Sequence, residues 1–141
     1  CDLVPEKPGE KRRRSLALDT FNGGVGQNVV TNPWEAAISP DGTRIYTIYA
    51  GTDDMNVSKI LDDNFIEVER FGSMVPTGKH PRAVRVSPNG KEVYVFNTLD
   101  AEVGIHDANL RKLGKIAVGT PAKTAEWRRG KELFQTAKQP M

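Results

Sequence analysis

The chain has 141 residues, 38% hydrophobic and 27% charged, with a formal net charge of +2 at neutral pH. That composition suits one domain with a modest core and excludes a disordered polyelectrolyte. Its apolar runs are a few residues long, far short of the ~20 needed to cross a bilayer as a helix, and its one dense basic run lacks the interleaved aromatics or motif of a nucleic-acid binder.

Residues 1–13 read as a polar N-terminal tether. Cys1, the one cysteine, has no partner for an internal disulfide. Standing first and followed by DLVPEKPGEK, it is a lipidation candidate in the manner of a cleaved bacterial lipoprotein; a boundary that happens to fall on cysteine is the simpler alternative. Lys11–Arg14 could meet an anionic partner or a membrane surface, although a solvated basic face is the commoner meaning of such a run.

Residues 14–124 are organised by a repeat. NPWEAAISPDGTRIYTIY begins at Asn32 and HPRAVRVSPNGKEVYVFN at His80, so Pro33 and Pro81 lie 48 residues apart, and Ser39, Pro40 and Gly42 superpose on Ser87, Pro88 and Gly90 without a gap. A third, degenerate unit is led by Pro121, since Pro121 to Gly130 repeats the nine-residue step and GKELF echoes GKEVY. Asp19 precedes Pro33 by the same 14 residues that separate Asp107 from Pro121, so part of an earlier unit comes before Pro33.

Within a unit the pattern predicts strands. AVRVS alternates with period two, SPNG carries turn chemistry, and KEVYVFN is rich in β-branched and aromatic residues; the turn TLDA, the strand EVGIHD, a second polar turn and the strand LGKIAVG follow. Four short antiparallel strands every 40 to 48 residues predict an all-β chain of β-propeller blades. VYVFN and IYTIY are apolar on both faces, as strands covered by neighbours on either side must be. Two nearly complete units and parts of two more make about half a disc. Open blades would leave apolar faces and strand edges bare, so a partner chain or domain is expected to complete the propeller.

The stretch Val93–Ala122, VYVFNTLDAEVGIHDANLRKLGKIAVGTPA, resembles the repeat of YVTN-type β-propellers, with Val95-Phe96-Asn97-Thr98 at the position that names the family. HPRAVRVSPNGK is similar to that family's proline-led inner strand and turn. The resemblance runs from about Asp19 to Val118. Phe96 stands where the family has threonine, and the first unit has an insertion around GTDDMNVSK, which bears on loop lengths.

Residues 125–141 form a C-terminal tail. EWRRGKELFQTAKQPM resembles the opening of the di-haem cytochrome c peroxidase-like domain that follows a YVTN-type propeller in some bacterial proteins, with Arg129, Gly130, Lys131, Leu133 and Phe134 matching its helix start. The resemblance implies haem c in an adjacent domain or partner; within this chain no Cys-x-x-Cys-His site occurs and no cofactor is expected. From the residues alone, Ala125, Leu133, Phe134 and Ala137 supply an apolar stripe at helical spacing, with Trp127 to anchor the first turn. The alternative is another blade's inner hairpin, as the Gly130 alignment suggests. The lack of alternation in LFQTAKQPM favours the short helix.

The residues flanking the repeat prolines, Asn32, Trp34, His80, Arg82, Thr120 and Ala122, are expected at the central channel or on one rim, where blades converge. His80 with Arg82 offers charge and donors to an anion, a haem propionate or a carboxylate; alternatively these residues satisfy backbone carbonyls at the blade junction. His106 is expected to pack between blades with one ring nitrogen hydrogen-bonded. Asp53, Asp54 and Asn56, and Asp62, Asp63 and Asn64, cluster oxygens without the spacing of a calcium loop and read as turns. No metal site and no catalytic constellation emerge. The function expected is that of a non-catalytic scaffold or docking module in the periplasm or at the cell surface, part of or partner to an exported bacterial haem redox protein, such as a c-type cytochrome. The alternatives are a fragment of a propeller plus di-haem peroxidase enzyme, its catalytic residues outside this chain, and a surface-layer or adhesive repeat protein. Nucleic acid is not an expected partner, and membrane contact is expected only through Cys1.

Overall fold

The structure, a computed structural model, describes residues 30–61, 67–120 and 124–135. The expected tether, Cys1, Lys11–Arg14, the turn Asp62–Asn64, and Pro121 and Ala122 lie outside the described residues.

Among the described residues eight strands form two four-stranded antiparallel sheets, each meandering in sequence order. The first holds β1 (Pro33–Ile38), β2 (Arg44–Tyr49), β3 (Asp54–Leu61) and β4 (Glu67–Pro76); the second holds β5 (Pro81–Val86), β6 (Glu92–Asn97), β7 (Glu102–Asp107) and β8 (Lys112–Ala117). A helix, α1 (Ala125–Gln135), follows. These are the predicted propeller blades and the short C-terminal helix.

The inner hairpins are set by the repeated Ser-Pro-x-Gly sequence. Ser39 N–H donates to Arg44 O at 2.9 Å and Gly42 N–H to Ser39 O at 2.8 Å; Ser87 N–H and Gly90 N–H repeat both bonds, to Glu92 O and Ser87 O, at 2.9 Å. Asp41 and Asn89 accept from Thr43 N–H and Lys91 N–H two residues on, at 3.1 and 3.0 Å. The turns close through left-handed backbone at Gly42 (φ 72°) and Gly90 (φ 70°), which glycine adopts without Cβ strain.

One apolar layer lies between the sheets. Tyr46, Ile48, Met55 and Val57 of the first face Val84, Val93, Val95 and Leu110 of the second. Strand pairing explains the selection: Tyr46 lies opposite Val57 and Ile48 opposite Met55, so all four side chains share one side of their sheet. Forty-eight residues on, the matching residues Tyr94, Phe96, Val103 and Ile105 also pair with one another, but on the side of the second sheet turned away from this layer. They are half-buried, and their neighbour Ile116 is 53% exposed. Each blade therefore offers one face to its successor and the opposite face to its predecessor.

The insertion expected around GTDDMNVSK is not in the turn after β2. Four residues, 50–53, join β2 to β3, as four residues, 98–101, join β6 to β7. The extra length of the first unit extends the outer hairpin instead, where β3 and β4 have 8 and 10 residues against 6 and 6 in β7 and β8.

The described part of the tail, Ala125–Gln135, is a helix, and Ala137 lies outside the described residues. Thr124 Oγ1 accepts Trp127 N–H at 3.3 Å across the first turn, and Glu126 lies near the positive end of the helix dipole. The spacing from Pro121 to Gly130 thus yields no third hairpin among the described residues. Trp127, Leu133 and Phe134 are exposed, Phe134 to 90%.

Candidate functional site at the inner rim

The inner strands β1 and β5 pack against each other, which brings their proline-led ends together. The residues before those prolines, Asn32 (φ 56°) and His80 (φ 58°), both adopt left-handed backbone, unfavourable for non-glycine residues by about 1 kcal/mol or more. Local bonds hold it: the Asn32 carbonyl accepts Ala50 N–H at 2.9 Å, the His80 carbonyl accepts Thr98 N–H at 3.2 Å, and His80 N–H donates to Asp53 Oδ1 at 2.7 Å.

The His80 ring is buried. Its Nδ1 lies 2.9 Å from Thr98 Oγ1, and that hydroxyl reaches the His80 carbonyl at 3.0 Å. Because the hydroxyl proton goes to the carbonyl, the oxygen accepts from the ring, which assigns the ring proton to Nδ1. Burial holds the imidazole below its ordinary pKa of 6.5, helped by Arg82 and Lys131 and opposed by Asp53, so the ring is neutral at pH 7.

Arg82 lies against this neutral ring. Its Nε is 3.1 Å from His80 Nε2 and 3.4 Å from Nδ1, nearly equidistant, so the guanidinium covers the ring face. Its Cζ is 3.5 Å from the centroid of Trp34, a cation–π contact. Trp34 is itself 50% exposed. Nη1 and Nη2 of Arg82 have no partner among the described residues. The structure therefore gathers Trp34, His80 and Arg82 into one cluster, with Asn32 contributing only backbone beside it. Thr120 is exposed and takes no part.

Three contributors escape a reading of the sequence alone. Asp53, which reads as a turn residue, binds His80 N–H and lies 3.7 Å from Lys79 Nζ. Thr98 fixes the histidine tautomer. Glu35 straps the inner strands together, accepting Val84 N–H at 2.7 Å and Arg85 Nη1 at 2.8 Å; the Arg85 hydrogen bond holds its carboxyl below the usual range. The available signal was a difference between repeats: Glu35 and Asp53 stand where the second unit has Ala83 and Ala101.

His106 is buried between the sheets, 2% exposed, but neither ring nitrogen has a partner among the described residues, contrary to the expected single bond. The ring leans over Gly104, where an added Cβ would lie 3.1 Å from its Cε1, and Val93 opposite offers only an apolar side chain. Asn56 is occupied by the Tyr49 hydroxyl and Ser58, both at 3.2 Å. Among the described residues no group of three metal-ligating side chains occurs, and no helix is long and apolar enough to cross a membrane. At the far end of the inner strands a cleft of about 300 Å³ opens between the Ser-Pro turns. Arg44 and the Tyr46 hydroxyl span it to the Ala108 carbonyl at 2.8 and 3.0 Å.

No family model matches the chain. An uncharacterised protein of Staphylococcus epidermidis is 30% identical over 99 residues, covering 67% of this chain and 27% of its own length. The chain thus spans about a quarter of the curated relatives it matches. Among solved structures, a candidate 6-phosphogluconolactonase from Bacteroides fragilis superposes with TM-score 0.62 at 22% identity, over 78% of this chain and 30% of that one. The periplasmic gluconolactonase of Pseudomonas aeruginosa gives 0.55 at 21%, over 65% and 28%. The dihydro-heme d1 dehydrogenase NirN gives 0.50 at 23%, over 61% and 17%. At these identities the likeness is one of fold, and the fold is that of a β-propeller, of which the described residues supply two blades.

Proposed function

We propose that the chain is a non-catalytic segment of a YVTN-type β-propeller whose inner rim docks an acidic group of a protein partner. The observation that carries this reading is the Arg82 guanidinium, fixed between Trp34 and His80 with both terminal nitrogens unpaired among the described residues. A carboxylate approaching Nη1 and Nη2 would form two charge-assisted hydrogen bonds to a group already held in place, so little side-chain entropy is lost on binding. The neutral His80 matters here, because a protonated ring would repel Arg82.

Export and association with a haem redox protein are part of the proposal. They are supported by the likeness to a periplasmic protein and to a haem d1 enzyme, and by the resemblance of the tail to a di-haem domain. The remaining blades come, in this reading, from another chain or domain, for which the apolar face at Tyr94, Phe96, Val103 and Ile105 is the junction. Anchorage to a membrane enters only through Cys1.

The test is a titration of the full chain with hexaglutamate, followed by NMR at Arg82 Nε–H and the Trp34 indole. Arg82→Gln is expected to weaken binding by about tenfold, the equivalent of about 1.4 kcal/mol. Equal binding by wild type and variant would refute the site. A second reading, a propeller joined to a di-haem peroxidase-like domain, is favoured by the helical form of residues 125–135. A haem absorbance band and peroxide turnover in the native full-length protein would establish it.

A further inference from the structure

Helix α1 sits on the rim with the wrong side inward. Glu132 and Gln135 close the small space lined by Ala50, Asp53, His80 and Leu99, and Glu132 Oε1 lies 2.6 Å from Lys79 Nζ. None of its residues is buried, while Trp127, Leu133 and Phe134 face solvent. Arg128 Nε and Gln135 Oε1 are shielded from water without a hydrogen-bond partner among the described residues, so docking leaves these polar groups unsatisfied there. A helix of 11 residues is marginal in water on its own. Among the described contacts the Lys79–Glu132 ion pair ties α1 to the blades, and its side chains are 46% and 37% exposed and open to screening by salt.

The same contact shows what chemistry the rim accepts. Lys79 precedes His80, Lys131 lies close enough to depress the His80 pKa, and Arg82 covers the His80 ring. The blades' own cations here are Lys79 and Arg82; Asp53 and Asp100 of the blades already neighbour Lys79, and Glu132 of α1 adds a further carboxylate seated on its ammonium. We propose that α1 is a detachable cover and that Glu132 is an internal competitor for Lys79, the second cation that an acidic segment seated on Arg82 also engages. The inference rests on the rim reading given above. Docking of a partner carboxylate releases Glu132, and α1 then leaves the rim and loses its helical protection.

The experiment uses the full chain with Glu132→Gln, and Glu126→Gln as a control that removes the same charge from the same helix without touching Lys79. Amide exchange in residues 125–135 is expected to accelerate in Glu132→Gln, and in wild type when salt rises from about 0.05 M to about 0.5 M, while β5 and β6 keep their protection. If the cover is shut about four-fifths of the time, Glu132→Gln binds hexaglutamate about fivefold more tightly than wild type. Glu126→Gln gains no such advantage. Unchanged exchange in Glu132→Gln, or lost protection with no gain over Glu126→Gln, overturns the cover while leaving the rim intact if Arg82→Gln still weakens binding. Absence of hexaglutamate binding in both wild type and Glu132→Gln overturns the rim and the cover together.

Discussion

The two blades share a backbone and differ in what they place on it. Left-handed residues recur 48 positions apart, Asn32 with His80, Gly42 with Gly90 and Asp53 with Ala101, and the serine-held turn is repeated bond for bond. On that common frame the first blade carries Trp34, Glu35 and Asp53 where the second carries Arg82, Ala83 and Ala101. Every one of these differences meets at the junction between the blades. Trp34 stacks on Arg82, Glu35 binds the edge of β5, and Asp53 binds His80. The repeated positions thus build blades, and the unmatched ones build the contact between them and the cluster on its rim.

The largest effect should come from matched residues in unlike surroundings. Tyr46 is fully buried between the sheets, whereas Tyr94 lies on the open face with its hydroxyl on Glu92. Tyr46→Ala is expected to cost about 3–5 kcal/mol in chemical denaturation and Tyr94→Ala less than about 1 kcal/mol. Similar losses at both positions would mean that the second face is already covered. Next comes Asp53→Ala, which gives the first blade the residue of the second. It leaves the buried His80 N–H without an acceptor, for a loss of about 1–3 kcal/mol, and Asn at this position should restore most of it. The smallest effect is that of pH. His106 is held below its ordinary pKa of 6.5 mainly by burial, with Lys112 adding to the effect and Asp107 opposing it. The unfolded chain therefore takes up the proton first: stability is full above about pH 6.5 and falls as pH drops through that value, by at most ~1.4 kcal/mol per pH unit for this group. His106→Val should flatten part of the fall between pH 7.5 and 5.5, and His80, shifted the same way, accounts for a remainder.

Much of this could be read in the sequence because the signals are local. The Ser-Pro-x-Gly turns and the alternation in AVRVS and EVGIHD depend on neighbours a few residues away, and they place β5 to β8 closely. LFQTAKQPM lacks strand alternation for the same local reason, and its described residues, Leu133, Phe134 and Gln135, belong to helix α1. The site was half legible: the prolines marked the converging ends, so Trp34, His80 and Arg82 could be named. Asp53 and Glu35 could not, because their partners lie 27 and 49 residues away and their roles depend on which backbone donors the fold leaves bare. The docked side of α1 is not legible in its sequence, because an apolar stripe predicts burial only when something apolar stands opposite, and the rim offers Lys79 and Asp53.

The face bearing Tyr94 and Phe96 has a geometric consequence. Because each sheet gives its neighbour a surface unlike the one it receives, the contact is head-to-tail and carries no internal stop. Repetition of one such step turns the stack by a constant angle, so its length is limited only when the final sheet meets the first, and a single angle of rotation determines how many sheets the finished ring contains.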